Sequence, residues 1–298
     1  MITIGDIIRT NRLAQKMTQE DLASGLCTVS NLSRIENGSQ IPSRATYEAL
    51  MGRMGLPAEV FPSFTNESEV KAFRLKHQIN QMFRTQRYDE AERLLDKLVA
   101  ENRKERIYKQ FVQYVRAMLL MCKDGQPETV LEMLENAAKM SIKDISPEKI
   151  LHQLLTEDEL TLLDKLAIAY DRANQRGKGI EMRYALKEYI ERKVMDDERI
   201  SPLYTAILFG LSNWVGQNGQ FTEALKLCDI GIHRCIEYGA FRYLARLLFN
   251  KGYSFVMLDR VSEAKEFIQE AYFVCKALGE ADTCSKIFAF ANEHDIAV

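Results

Sequence analysis

Residues 18–43, TQEDLASGLCTVSNLSRIENGSQIPS, carry the sequence pattern of two short helices separated by a tight turn. Thr18 and Thr28 each precede a helical pattern, where a hydroxyl oxygen can cap backbone N–H groups that have no partner inside the helix. Gly25 and Gly38 follow these patterns, and glycine readily adopts the left-handed conformation that ends a helix. The stretch therefore predicts a helix, a turn and a second helix.

A helix on either side is expected to complete a four-helix bundle. Apolar residues at helical spacing predict a first helix that ends near Lys16. Pro42 and Ser43 begin a fourth helix, and Gly55 ends it. Leu22 and Leu32 are predicted to face the core, which leaves the other side of the second short helix exposed.

That exposed face consists of Val29, Ser30, Asn31, Ser33 and Arg34. It is short and rich in hydrogen-bonding groups, and a helix of this kind can enter a DNA major groove and read base edges. Residues 1–62 hold six Lys/Arg and six Asp/Glu, so DNA binding must rest on individually placed groups rather than on a general positive field.

Glu36 is expected to have a structural role, in an ion pair with Arg12 or Arg34.

The motifs TQEDLA at 18–23 and SRIENG at 33–38 resemble the Xre/Cro-type helix-turn-helix family, whose pattern is T-Q-E-x-L-A followed by S-R-I-E-N-G. The resemblance covers residues 1–62 and implies that Gln19 and Asn37 hold phosphates. Many relatives have glutamine or arginine where this chain has Val29, although a valine can pack on a thymine methyl group. The DNA-binding residues predicted in this way are Gln19, Thr28, Val29, Ser30, Asn31, Ser33, Arg34 and Asn37.

After a junction marked by Pro57 and Pro62, the pattern is helical to the end of the chain. The segments YDEA at 88–91, FTEA at 221–224 and VSEA at 261–264 each place a bulky residue three positions before an alanine. This pattern is close to that of tetratricopeptide repeats, with longer spacing. We predict an all-α chain with a helix-turn-helix domain at 1–62 and, at 63–298, a right-handed superhelix of about five degenerate helix pairs.

A superhelix of this kind has a concave inner face, which commonly binds an extended peptide. Asparagine amides at Asn80, Asn213 and Asn250 are suited to holding a peptide main chain, because an amide both donates and accepts. The repeat positions predict a peptide-binding surface formed by His77, Asn80, Arg84, Arg116, Lys123, Asn213, Gln217, Asn250, Tyr253 and Met257.

The combination of a Cro-type module with degenerate tetratricopeptide pairs resembles the RRNPP family of peptide-sensing regulators, and in particular its PlcR-type members. The resemblance implies a homodimer that binds a short signalling peptide in the repeat groove and a palindromic operator in double-stranded DNA, as in quorum sensing. The alternative is a helix-turn-helix regulator whose helical domain only dimerises or docks a protein partner, without a peptide ligand.

An enzyme is the third class considered, and the sequence contains little that supports it. The four histidines are far apart in sequence, and no phosphate-binding glycine loop or nucleophile motif is present. The six cysteines include no C-x-x-C pair, which predicts reduced core thiols, no disulfide framework and no metal or cofactor site. No apolar run reaches the roughly 18 residues of a membrane span, so we expect a cytoplasmic protein.

Overall fold

The computed structural model describes residues 3–56, 67–193, 195 and 197–298, and these residues form helices without strands. The helices in these ranges are α1 (Ile4–Ala14), α2 (Gln19–Ala23), α3 (Val29–Glu36), α4 (Arg44–Arg53), α5 (Glu67–Arg84), α6 (Tyr88–Ala100), α7 (Arg106–Cys122), α8 (Pro127–Lys139), α9 (Pro147–Ile150), α10 (Glu157–Arg172), α11 (Arg176–Arg192), α12 (Asp197–Gln217), α13 (Phe221–Glu237), α14 (Leu244–Met257), α15 (Val261–Ala277) and α16 (Ala281–Glu293). A short 3₁₀ helix, Phe241–Tyr243, precedes α14.

The predicted caps and turns of the helix-turn-helix region are confirmed. Thr18 Oγ1 accepts a hydrogen bond from the Asp21 N–H at 3.0 Å, and the Asp21 carboxylate accepts one from the Thr18 N–H at 3.1 Å. At the start of α3, Thr28 Oγ1 accepts a hydrogen bond from the Asn31 N–H without a reciprocal bond, and Ser43 Oγ accepts one from the Thr46 N–H at the start of α4. Gly25 has a φ of 73°, the left-handed conformation that the turn after α2 requires.

The core of this bundle forms where the sequence predicts it. Ile8 from α1, Leu22 from α2, Leu32 from α3 and Tyr47 from α4 are fully buried in one apolar cluster. Because Leu32 is held inside the bundle, the opposite side of α3 faces away from it.

From α5 onward the helices form successive pairs, as predicted. The packed pairs are α5 with α6, α7 with α8, α12 with α13, and α14 with α15, followed by α16. Between them, α10 packs on α8 and is joined to α11 by the ion pair of Asp164 with Arg183 at 2.9 Å. Ala91, Ala224 and Ala264, the alanines of the recurring motif, are completely buried. A Cβ on Gly252 would overlap the Ile268 side chain, so this glycine lets α14 approach α15 closely.

Two compact units result, residues 1–189 and residues 190–298. The first unit contains the helix-turn-helix bundle together with three helix pairs, and the second contains two pairs and α16. The predicted boundary between residues 62 and 63 lies outside the described residues.

A buried ion pair connects the helix-turn-helix bundle to the third helix pair within the first unit. Arg53, the last residue of α4, places Nη2 at 2.9 and 3.2 Å from the two carboxylate oxygens of Glu159 in α10. Their side chains are only 2% and 1% exposed. Arg53 Nη1 also donates to the Ser24 carbonyl oxygen. A single guanidinium therefore links the turn after α2 to the start of α10.

Further hydrogen bonds surround the Glu159 carboxylate. Ser141 Oγ donates to it at 2.5 Å and the Thr156 N–H at 2.7 Å. Gln110 Nε2, from α7, donates in turn to Ser141 Oγ at 2.6 Å. The network joins α4, α7, the loop after α8 and the start of α10 around one buried carboxylate.

The start of α4 makes a second connection, to the first helix pair. The Arg44 N–H donates to Glu69 Oε1 at 2.5 Å, and the Arg44 guanidinium lies 4.6 Å from the centre of the Phe73 ring. Ile107, at the start of α7, packs against the apolar core of the bundle. Both ends of α4 are thus fixed to the repeats.

The expectation that the cysteines are reduced thiols without a disulfide is wrong for one pair. Cys275 and Cys284 are joined by a disulfide between α15 and α16. The other four are free, and Cys228 and Cys235 are buried as expected. Spacing did not reveal the pair because the turn between the helices, rather than a C-x-x-C motif, brings the two sulfur atoms together.

Replacing Glu159 with alanine should leave the Arg53 charge buried without its partner, and we expect a loss of about 3–5 kcal/mol in the free energy of unfolding. Urea denaturation followed by circular dichroism measures it. The matched control is Glu263→Ala, which breaks an exposed surface pair with Arg260 and should change the free energy of unfolding far less. Equal losses in the two variants would contradict this account. The double variant Arg53→Met/Glu159→Leu should recover part of the loss.

Candidate functional site

The outer face of α3 is open in the first unit. Val29 is 44% exposed, and Ser30 and Arg34 are also exposed, whereas Asn31 and Ser33 are half-buried. Arg34 extends along the helix with Nε 3.4 Å from the Ser30 carbonyl oxygen. These groups form a narrow surface of one apolar, one cationic and several polar side chains, which suits base edges and the phosphates beside them.

The residues predicted at the ends of this surface also lie there. Thr28 is exposed at the start of α3, where its Oγ1 accepts a hydrogen bond from the Asn31 N–H at 3.1 Å. Asn37 is exposed at the end of α3. Gln19 is half-buried at the first position of α2. The structure therefore places all eight predicted DNA-binding residues on α3, its two flanks and the start of α2.

Glu36 determines how Gln19 is oriented. Arg12 forms two hydrogen bonds to the Glu36 carboxylate, at 2.6 and 2.8 Å, and Gln19 Nε2 donates a third at 2.7 Å. Burial alone would raise the pKa of Glu36, but the hydrogen bonds from Arg12 and Gln19 outweigh it and lower the pKa. The structural role of Glu36 is confirmed, and its partner is Arg12 rather than Arg34.

Five of the predicted groove residues lie in the first unit. His77 and Arg84 are exposed on α5, Arg116 is exposed on α7, and Asn80 is half-buried. Lys123, at the end of α7, forms ion pairs with Asp89 at 3.1 Å and Glu92 at 2.7 Å of α6. Its charge is thus already paired within the repeats.

The other five lie in the second unit, on α12 and α14. Asn213 is half-buried, and its Oδ1 accepts a hydrogen bond from Gln217 Nε2 at 3.2 Å. Met257 is 45% exposed at the end of α14. Tyr253 is half-buried one helical turn before it.

The environment of Asn250 differs from the one expected of an amide that holds a peptide main chain. It is only 9% exposed, and its Nδ2 donates to Ser212 Oγ at 2.9 Å. Ser212 Oγ donates in turn to the Phe209 carbonyl oxygen at 2.9 Å. The Asn250 amide nitrogen therefore connects α14 to α12, which is a packing role.

Aromatic residues around Tyr253 were not predicted as site residues. The centre of the Tyr253 ring lies 6.3 Å from that of Phe221 and 5.5 Å from that of Phe290, and Phe249 lies 5.3 Å from Phe290. Phe249 and Tyr253 are four residues apart on α14, a spacing that could have indicated a shared face. Phe290 belongs to α16, beyond the last recognisable repeat motif.

The described ranges contain neither a metal-binding cluster nor a membrane-spanning helix. No group of three or more His, Cys, Asp or Glu side chains there is arranged to hold a metal ion. None of the helices described is both long and apolar enough to pass through a bilayer.

Comparisons with known proteins agree with this geometry. The model of the helix-turn-helix family HTH_3 matches residues 8–61. A comparison with curated proteins gave no match. Among solved structures, Bacillus thuringiensis PlcR in complex with the peptide PapR7 and DNA is 16% identical, with a TM-score of 0.62 over 99% of each chain.

Two further structures cover nearly the whole of both chains. The apo form of Bacillus thuringiensis PlcR has a TM-score of 0.63 at 16% identity, over 97% of this chain and 99% of that one. ComR from S. thermophilus, in complex with DNA and its signalling peptide ComS, has a TM-score of 0.54 at 17% identity, over 98% and 100%. The chain therefore has a helix-turn-helix domain followed by tetratricopeptide-like helix pairs, and its fold is that of PlcR and ComR.

Proposed function

We propose that the protein is a sequence-specific DNA-binding transcriptional regulator whose affinity for DNA is controlled by a short linear signalling peptide. The observation that carries the DNA-binding part is the open outer face of α3, presented by a fully capped helix-turn-helix bundle. Its surface combines the exposed Arg34 guanidinium with hydroxyl and amide groups. Such a face is what a reading helix in the major groove requires.

One copy of this surface offers limited affinity. Arg34 is its single cation on α3, and Val29, which is 44% exposed, contributes an apolar contact. Specific binding normally needs a larger contact area and several phosphate contacts. We therefore propose that a homodimer places two copies of α3 on a palindromic operator.

Peptide control is supported by the shared fold and by the chemistry of the second unit. PlcR binds the peptide PapR7 together with DNA, and ComR binds its signalling peptide ComS together with DNA. In this chain, α12 carries the amides of Asn213 and Gln217, and α14, which contacts α12, carries the partly exposed Tyr253 and Met257. Amides next to apolar side chains can bind a peptide main chain and its apolar side chains at once.

The coupling between peptide and DNA would follow from linkage. A peptide that binds one conformation of the repeats more tightly shifts the population toward it. Because α4 is fixed at both ends to the first three helix pairs, a movement of those pairs carries α3 with it. The affinity of a dimer for an operator of fixed half-site spacing then changes.

Arg34→Ala should weaken binding to the preferred DNA sequence by about 1–3 kcal/mol, roughly 5- to 150-fold in Kd, because one side chain at the base edges is lost. The preferred sequence is first selected from a pool of random duplexes with the full chain, and Kd is then measured by gel shift. Arg93→Ala is the matched control, since Arg93 is exposed on α6, away from α3. Selection of no sequence motif by the wild-type chain would refute sequence-specific binding.

Asn213→Ala should weaken binding of a selected peptide about tenfold or more, since a main-chain hydrogen bond partner is removed. The probe is the tightest binder from a library of short linear peptides screened against the full chain, and Kd is measured by isothermal titration. Asn136→Ala, on the exposed face of α8, is the control and should leave Kd unchanged. If the library gives no binder, or if the two variants bind equally well, the helical region does not use Asn213 for a peptide.

Asn250→Ala tests the revised assignment of that residue. Loss of the amide leaves Ser212 without its donor in a buried position, and we expect about 1–3 kcal/mol lower stability. Urea denaturation measures the change. If the variant keeps its full stability but binds the selected peptide more weakly, Asn250 is instead a peptide-binding residue.

A further inference from the structure

We propose that Cys275 and Cys284 form a reversible thiol–disulfide site, and that its state controls how firmly α16 is attached to α15. Their Cα atoms are 5.8 Å apart, within the range of about 4.4–6.8 Å that a disulfide requires. Cys275 lies in the last turn of α15, and Cys284 is the fourth residue of α16. The bond therefore closes only the turn between these two helices.

The surroundings suit both states of the pair. Cys275 Sγ lies 3.2 Å from the Tyr272 carbonyl oxygen, so the reduced thiol has an acceptor for its proton. Cys275 is completely buried, whereas Cys284 is half-buried at the edge of the same apolar cluster. Cys284 is thus the sulfur that a small oxidant reaches, and Cys275 is placed to complete the bond.

A peroxide is the oxidant class we assign. The Cys284 thiolate attacks one oxygen of hydrogen peroxide, the O–O bond breaks, and the products are a sulfenic acid and hydroxide. Cys275 then attacks the Cys284 sulfur, forming the S–S bond and releasing the sulfenic oxygen as water together with the thiol proton. Two electrons pass from the two sulfurs to the peroxide, and a dithiol reductant reverses the change.

The two buried free cysteines are less suited to this chemistry. Cys228 and Cys235 lie on α13, and burial raises the pKa of each thiol to about 12. At neutral pH they remain protonated and react slowly, because the thiolate is the nucleophile. They also lie on one helix, seven residues apart, and are not bonded to each other.

The position of α16 affects the predicted peptide-binding residues of α14. Phe290 of α16 lies against Phe249 and Tyr253, and Tyr253 is one of the predicted peptide-binding residues. An ion pair of 3.0 Å between Arg246 and Glu280 also holds the turn before α16. Reduction would therefore loosen α16 rather than release it. An effect of this loosening on peptide binding rests on the proposed function. The thiol chemistry and the attachment of α16 do not depend on it.

The first experiment follows the thiols of the full chain, reduced, desalted and treated with hydrogen peroxide without DNA or peptide. We expect two of the six thiols to disappear, a mass loss of about 2 Da, and a linked Cys275–Cys284 peptide that dithiothreitol separates. Cys284→Ala should abolish the linkage. Cys122→Ala, which removes a free, half-buried cysteine on α7, should leave it intact.

The second experiment measures the consequence for α16 by hydrogen exchange and thermal unfolding. Oxidation should slow amide exchange across residues 281–293 and raise Tm by about 2–6 °C, and neither change should occur in Cys284→Ala. A pair that stays reduced, or that gains oxygen at Cys284 without forming the bond, overturns the proposal. A bond that forms without changing exchange in α16 overturns its control of that helix. None of these results bears on DNA or peptide binding.

Discussion

The ion pair between Arg53 and Glu159 fixes the position of the DNA-binding bundle. Removing both charges from water is costly, and the cost is offset only when hydrogen bonds surround the pair. The carboxylate meets this condition through Ser141 and Thr156. Arg53 Nε has no hydrogen-bond partner among the described residues, so the pair contributes more to the orientation of α4 than to stability. The helix pairs therefore fix the orientation of the bundle that presents α3.

What the sequence could predict is mostly local. The caps at Thr18 and Thr28 and the glycine turns follow from rules that involve a few neighbouring residues. Arg12 was one of the two partners predicted for Glu36, and Glu36 could be singled out because it lies in the SRIENG motif. Arg53 and Glu159 are 106 residues apart, and neither residue type nor spacing distinguishes them from ordinary surface charges. Only the packing of three helix pairs brings them together.

The residues of the candidate site also differ in whether local sequence is enough to predict them. The outer face of α3 was predictable, because helical spacing settles which side chains of a short capped helix point away from the core. Asn250 shows where this reasoning stops: repeat position indicates a direction, but not that Ser212 on the neighbouring helix already binds the amide. The aromatic group around Phe290 was missed because α16 carries no repeat motif, and its partners come from other helices.

Gly25 gives the turn after α2 a second constraint, besides its left-handed conformation. A Cβ at this position would overlap the carbonyl oxygen of Ser141, so the DNA-binding turn and the loop after α8 are in backbone contact. Helix-turn-helix modules are often regarded as interchangeable heads. Here the head and its support share a fitted surface, and a transplanted head would need glycine at this turn as well as an arginine at the end of α4. A side chain in place of Gly25 would therefore disturb both parts at once.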